Sequence, residues 1–209
     1  MEMPQMSDAH RRLHRLVGTW SGDEKLSPSP WDPAGGAATG KSVNRAILDG
    51  FAVAHDYEQF RNGQISFKGH GVFTWNAQEN VYYLHWFDSM ATTVNTYRGQ
   101  FDGDVLSLES VDPNMKSRAV FDFGRPNSYS FRMDVSPDGA QWMTFMEGRY
   151  ARQAAVAPRA RTVTKSKTKA KAKPTARAKA KAKPKKAGKS RPGRSTPVAK
   201  TSKKKAKNK

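Results

Sequence analysis

The side chains able to do chemistry concentrate in one part of the chain: His55, Asp56, Tyr57 and Glu58, then His70, then His85 and Asp88. Imidazole titrates near neutral pH, so a histidine beside a carboxylate suits a general base, and two histidines on one face are the start of a metal site. Successive side chains of a strand point to opposite faces, so His55 and Tyr57 share one face and Asp56 and Glu58 share the other. A five-residue connection over 76–80 pairs Trp75 with Val81, Gly71 with His85 and His70 with Trp86. That register sets Tyr83 and His85 on the face of Phe73 and leaves His70 on the opposite one. A connection one residue shorter sets His70 against His85, as two ligands of one metal require. The reading adopted keeps the histidines apart, each hydrogen-bonded to a tyrosine, a carboxylate or a backbone carbonyl. Ser66, Ser89 and Ser107 lack any nucleophile-elbow context, and Asp102 and Asp104 flank Gly103 as turn residues rather than as an acid and base pair.

The elements that must position these groups are strands. Ser7 and Asp8 start a short helix that runs to about Leu16, with Leu13, Leu16 and Val17 on one side. From Thr19 the chain becomes short runs rich in aromatic and β-branched residues. They are separated by turn signals at Asp49-Gly50, Asn62-Gly63, 76–80, Asp102-Gly103, 124–127 and 137–139. Ten strands are predicted near 19–26, 40–48, 51–60, 64–75, 81–88, 94–101, 104–111, 117–123, 128–135 and 140–150, with one long irregular connection at 27–38. A meander of antiparallel strands removes its edges by closing, so the fold class is all-β, an up-and-down barrel of about ten strands behind a short N-terminal helix. A barrel of that size leaves interior room for a ligand. Gly69 and Gly71 mark a place on the strand where another group, a packed tryptophan or a ligand, comes close to the backbone.

Four segments taken in order, LVGTWSG at 16–22, LDGF at 48–51, FKGHGVFTWN at 67–76 and LHWFDS at 84–89, resemble a bacterial family of uncharacterised function in the calycin superfamily. That superfamily includes lipocalins, fatty-acid-binding proteins and the haem-binding nitrobindins. The resemblance spans about residues 8–150 and implies the barrel, with Trp20 closing one end beside the helix. It leaves the chemistry open, because one fold hosts many functions. Nitrobindins carry an iron-binding histidine near their last strand, whereas the last strand here, QWMTFMEGRY, has none, so no haem and no other cofactor is expected.

The barrel interior is expected to take a small apolar or aromatic molecule on a lining that includes Phe73 and Trp75, oriented by His55, Tyr57, Tyr83, His85 and Arg132. The alternatives are an enzyme using His55 or His85 as general base, and a barrel that serves as a protein interaction module. No disulfide or thiolate chemistry is available, since the chain has no Cys. The N-terminus lacks the apolar run of a secretory signal, and no window approaches the ~20 apolar residues of a membrane span. A cytoplasmic setting is the expectation.

The formal charge of +19 averages two unlike parts. Residues 1–150 hold 14 basic and 18 acidic side chains (14 − 18 = −4), and residues 151–209 hold 23 basic side chains and no acidic one (+23). The second part contains no Trp, Tyr, Phe, Leu, Ile or Met, so it cannot bury a core and is expected to be a disordered Lys/Ala/Pro-rich tail, similar in composition to the tail of linker histones. KAKAKP occurs at 169–174 and again at 179–184. Lys169, Lys171, Lys173, Arg177, Lys179, Lys181, Lys183, Lys185 and Lys186 are the expected contacts to DNA or RNA phosphates. Such contacts release counterions without reading sequence and would place the protein at the nucleoid if DNA is bound. An anionic membrane surface is less favoured, since no apolar anchor accompanies the charge.

Overall fold

The computed structural model describes residues 5–29, 32–91, 93–113 and 116–154. Residues 155–209, with every residue from Lys169 to Lys186 named above, lie outside the described residues. Helix α1 (Asp8–Leu13) runs into a 3-10 turn, His14–Leu16. Ten strands follow: β1 (Gly18–Leu26), β2 (Gly36–Ile47), β3 (Ala52–Arg61), β4 (Gln64–Asn76), β5 (Val81–Asp88), β6 (Asn95–Asp102), β7 (Val105–Ser110), β8 (Lys116–Asp122), β9 (Ser128–Ser136) and β10 (Met143–Arg152). Each pairs antiparallel with its sequence neighbours, and β1 closes against β10, from Trp20 opposite Arg152 to Leu26 opposite Met146. The predicted all-β up-and-down barrel is the fold, and closure leaves no strand edge unpaired. β2 starts earlier than the expected irregular connection allows. Gly35 and Gly36 take positive φ, which turns the chain back so that Gly36 pairs with Leu26.

Helix α1 and its 3-10 extension plug one end. Leu13, Leu16, Trp20, Phe73 and Leu106 meet there, none more than 2% exposed. Burial of each leucine contributes about 2 kcal/mol. The last turn of a helix leaves carbonyls without intrahelical partners, and here the Leu16 carbonyl accepts from Trp20 Nε1 and from Asn44 Nδ2, both at 2.8 Å. Trp20 closes this end beside the helix, as the resemblance implied.

The β4–β5 hairpin departs from the predicted register by one residue. Asn76 remains in the strand opposite Val81, and the connection is 77–80. Two features shorten it. Asn76 Oδ1 accepts from the N–H groups of Gln78 and Glu79 at 3.0 and 3.2 Å, and Asn80 takes a left-handed φ of 54°. The slip exchanges the faces of β5, so that Tyr82, Leu84 and Trp86 point inward while Tyr83, His85 and Phe87 point outward.

Candidate functional site

Alternation along the first three strands sends Trp20, Gly22, Glu24 and Leu26 of β1 inward, with Ala38, Gly40, Ser42 and Asn44 of β2 and Val53, His55, Tyr57 and Gln59 of β3. This wall is polar. The opposite wall, on β4 to β9, presents Phe73, Leu84, Leu106, Leu108, Phe121 and Phe131. The interior is therefore amphipathic across its width.

Glu24 is the most heavily bonded group of the polar wall, only 4% exposed. Its Oε1 accepts from the Tyr57 hydroxyl at 2.7 Å and from the Tyr150 hydroxyl, and its Oε2 accepts from Gln59 Nε2 at 2.8 Å. Three donors replace the water that a carboxylate loses on burial. Burial, with the Glu24 charge adding to it, raises both phenols far above their usual range, so they stay protonated and continue to donate. Gly40 makes the arrangement possible, since a Cβ there would lie 2.1 Å from Glu24 Oε1 and 2.5 Å from the Tyr150 hydroxyl.

His55 lies further toward the closed end. Its ring is parallel to Tyr57 at 6.2 Å, edge-on to Phe73 at 5.9 Å and tilted against Trp86 at 5.7 Å. Burial lowers its pKa to about 4, so the imidazole is neutral at neutral pH and a weak general base. Its Nδ1 is buried with no hydrogen-bond partner among the described residues, and the same holds for Asn44 Oδ1 on the facing strand. Trp86 covers His55 from the other side, its indole lying over Gly69 and Gly71 with Nε1 donating to Asp88 at 3.0 Å. The close group that those two glycines admit is this tryptophan.

On four strands the exposure of inward residues rises away from α1, while Leu26, Gln59, Tyr97 and Ser117 at the same end stay buried. Inward residues pass from buried Phe73 to partly exposed Phe67 on β4, from Tyr82 to Trp86 on β5, from Tyr129 to Met133 on β9 and from Tyr150 to Met146 on β10. A side chain inside a closed barrel meets solvent only through an end, and for Phe67, Trp86, Met133 and Met146 that end lies away from α1; Trp75 and Phe101 keep partial exposure at the α1 end. Around that mouth Met90, Val94, Val111 and Met143 are exposed, at 45–72%.

Of the residues expected to line the interior, His55 and Tyr57 face it on the polar wall and Phe73 lies at its closed floor. Trp75 belongs to the plugged end, packed on Tyr82 at 4.6 Å. Tyr83 and His85 are corrected to the outer surface, stacked on each other at 5.8 Å, because of the register slip. Arg132 is outward too, ion-paired with Asp134 at 3.0 Å, since the inward positions of β9 are Tyr129, Phe131 and Met133. The shorter hairpin does not bring His70 and His85 together. His70 opposes Phe87 and bonds Asp56 at 2.7 Å, while His85 opposes Val72 and lies 3.3 Å from the Thr96 hydroxyl. Among the described residues no cluster of three or more metal-ligating side chains occurs.

Sequence reasoning missed Glu24, Asn44, Gln59 and Tyr150. The signal was parity: Glu24 lies four residues after Trp20, and Gln59 four after His55, so each shares a face with a residue already placed inside.

The crystal structure of Rv2717c from M. tuberculosis superposes with a TM-score of 0.53 at 14% identity, over 72% of this chain and 100% of that one. The S-type phycobiliprotein lyase CPES from Guillardia theta gives 0.48 at 13% identity, over 73% and 99%. At such identity the likeness to Rv2717c concerns the fold alone. A search of curated proteins finds no match. The model of one family, described as a protein of unknown function (DUF1579), matches residues 5–152, the helix and all ten strands, and the chain belongs to that family.

Proposed function

We propose that the barrel binds a small apolar or aromatic molecule, admitted through the end away from α1, and that residues 151–209 hold the protein on nucleic acid without reading its sequence. The observation that carries the first part is the graded exposure of inward Phe67, Trp86, Met133 and Met146 while Phe73, Tyr82, Tyr129 and Tyr150 are buried. Apolar side chains that keep water contact inside a barrel gain by covering one another or a ligand. The exposed apolar rim at Met90, Val94 and Val111 suits passage of such a molecule. The second part rests on the 23 cations and absent acids of the terminal segment.

Titration calorimetry with naphthalene tests the ligand reading. One molecule is expected per chain, and Met146→Trp, which fills the mouth, is expected to weaken binding at least tenfold. Naphthalene binding that Met146→Trp leaves unchanged would place the site elsewhere.

A further inference from the structure

We infer that Asn44 and His55 form a notch on the polar wall of the barrel interior that receives the hydrogen-bond-donating head of the ligand, a hydroxyl or an amine, and discriminates against a carboxylate. The inference rests on the ligand-binding reading above and adds the chemistry of the head group. Asn44 and His55 are direct cross-strand partners on β2 and β3, both inward and only 2% and 6% exposed. Such partners hold their Cβ atoms about 5 Å apart. The Asn44 amide nitrogen is committed to the Leu16 carbonyl, so the atom it leaves open is the oxygen, an acceptor. His55 Nδ1 beside it is open as well, and it is an acceptor in the tautomer that carries the proton on Nε2, the one the notch requires. Buried polar atoms are nearly always paired, so two adjacent open ones mark a place prepared for a donor.

Charge supplies the selection. The inward positions of β1 to β3, from Trp20 to Gln59, include one carboxylate, Glu24, and no Lys or Arg. Arg61, at the end of β3, is ion-paired with Asp32. A carboxylate head in the notch would be desolvated without a cation, on the same wall as an existing anion. The rest of the ligand must be apolar, since Phe73, Phe121 and Phe131 face the notch side from other strands. Trp86 stands between the notch and the mouth, packed over Gly69 and Gly71 with Nε1 on Asp88, so an entering ring must displace it.

The test compares three naphthalenes of one size on the full chain at pH 7: 2-naphthol, 2-methoxynaphthalene, which cannot donate, and 2-naphthoate, which is anionic. The naphthol is expected to bind about tenfold tighter than either, the worth of one buried hydrogen bond that relieves an open acceptor. His55→Phe leaves the Asn44 oxygen as the one acceptor of the notch and should lower the naphthol to methoxynaphthalene ratio severalfold. His55→Gln, which retains a side-chain acceptor, should keep the naphthol ahead and carries the test if the Phe variant does not fold. A ratio near one in the native chain, naphthoate binding as tightly as naphthol, or a ratio unmoved by His55→Phe would overturn the notch while leaving the cavity in place. Failure of all three compounds to bind would overturn the cavity reading together with it.

Discussion

His55 keeps its imidazole neutral because burial opposes the charged form more than Asp56 favours it, with His70 opposing it further. Its pKa of about 4 in the folded chain lies below the unfolded value of 6.5, so between these values the unfolded chain binds more protons. The contribution is complete above pH 6.5 and declines as pH falls, by about 3 kcal/mol when pH 4 is reached. Urea midpoints at pH 7 and pH 4.5 are expected to differ more for the native chain than for His55→Phe. Equal differences would show that His55 does not carry the effect. Asp32, Asp56 and Asp138 have carboxyl pKa values below 3.8 and release their contributions at lower pH, outside this window. At this scale the sequence showed His55 and Tyr57 on one face but hid Glu24. An acid next to Asp23 in a strand reads as solvent-facing until its four-residue distance from Trp20 is counted.

Strands and turns were legible where the backbone demands particular residues. Asp49, Asn62, Gly63, Gly103, Asn127 and Gly139 all take positive φ in turns that their residue types announced. The β4–β5 connection was not legible, because whether Asn76 ends the strand or begins the turn depends on which N–H groups its side chain captures. That single choice placed Tyr83 and His85 on the wrong face. Glycines inside strands carry a comparable amount of information. Gly40→Ala would force Glu24 and Tyr150 apart, leaving a buried carboxylate short of a donor, and is expected to cost at least about 3 kcal/mol by urea denaturation. A loss below 1 kcal/mol would mean that the Glu24 cluster relaxes around the added methyl and is not held as tightly as its burial indicates.

The whole molecule joins a barrel whose 150 residues carry −4 to a segment that carries +23, and the two parts are expected to respond differently to salt. If about 8 cations meet phosphates, the affinity for DNA should fall with a log–log slope of roughly −7. Removal of residues 155–209 should abolish retention in a low-salt gel shift while leaving naphthalene binding unchanged. Retention by the shortened chain would assign the nucleic acid to the barrel instead. The central claim is that the barrel interior opens away from α1 and accepts an apolar ring, and methionine methyl NMR reads it directly. Met133 and Met146 are inward and opposite each other, whereas Met90 and Met143 are exposed on the rim. With bound naphthalene, nuclear Overhauser contacts are predicted from its ring protons to the Met133 and Met146 methyls. Contacts confined to Met90 and Met143 would contradict the account.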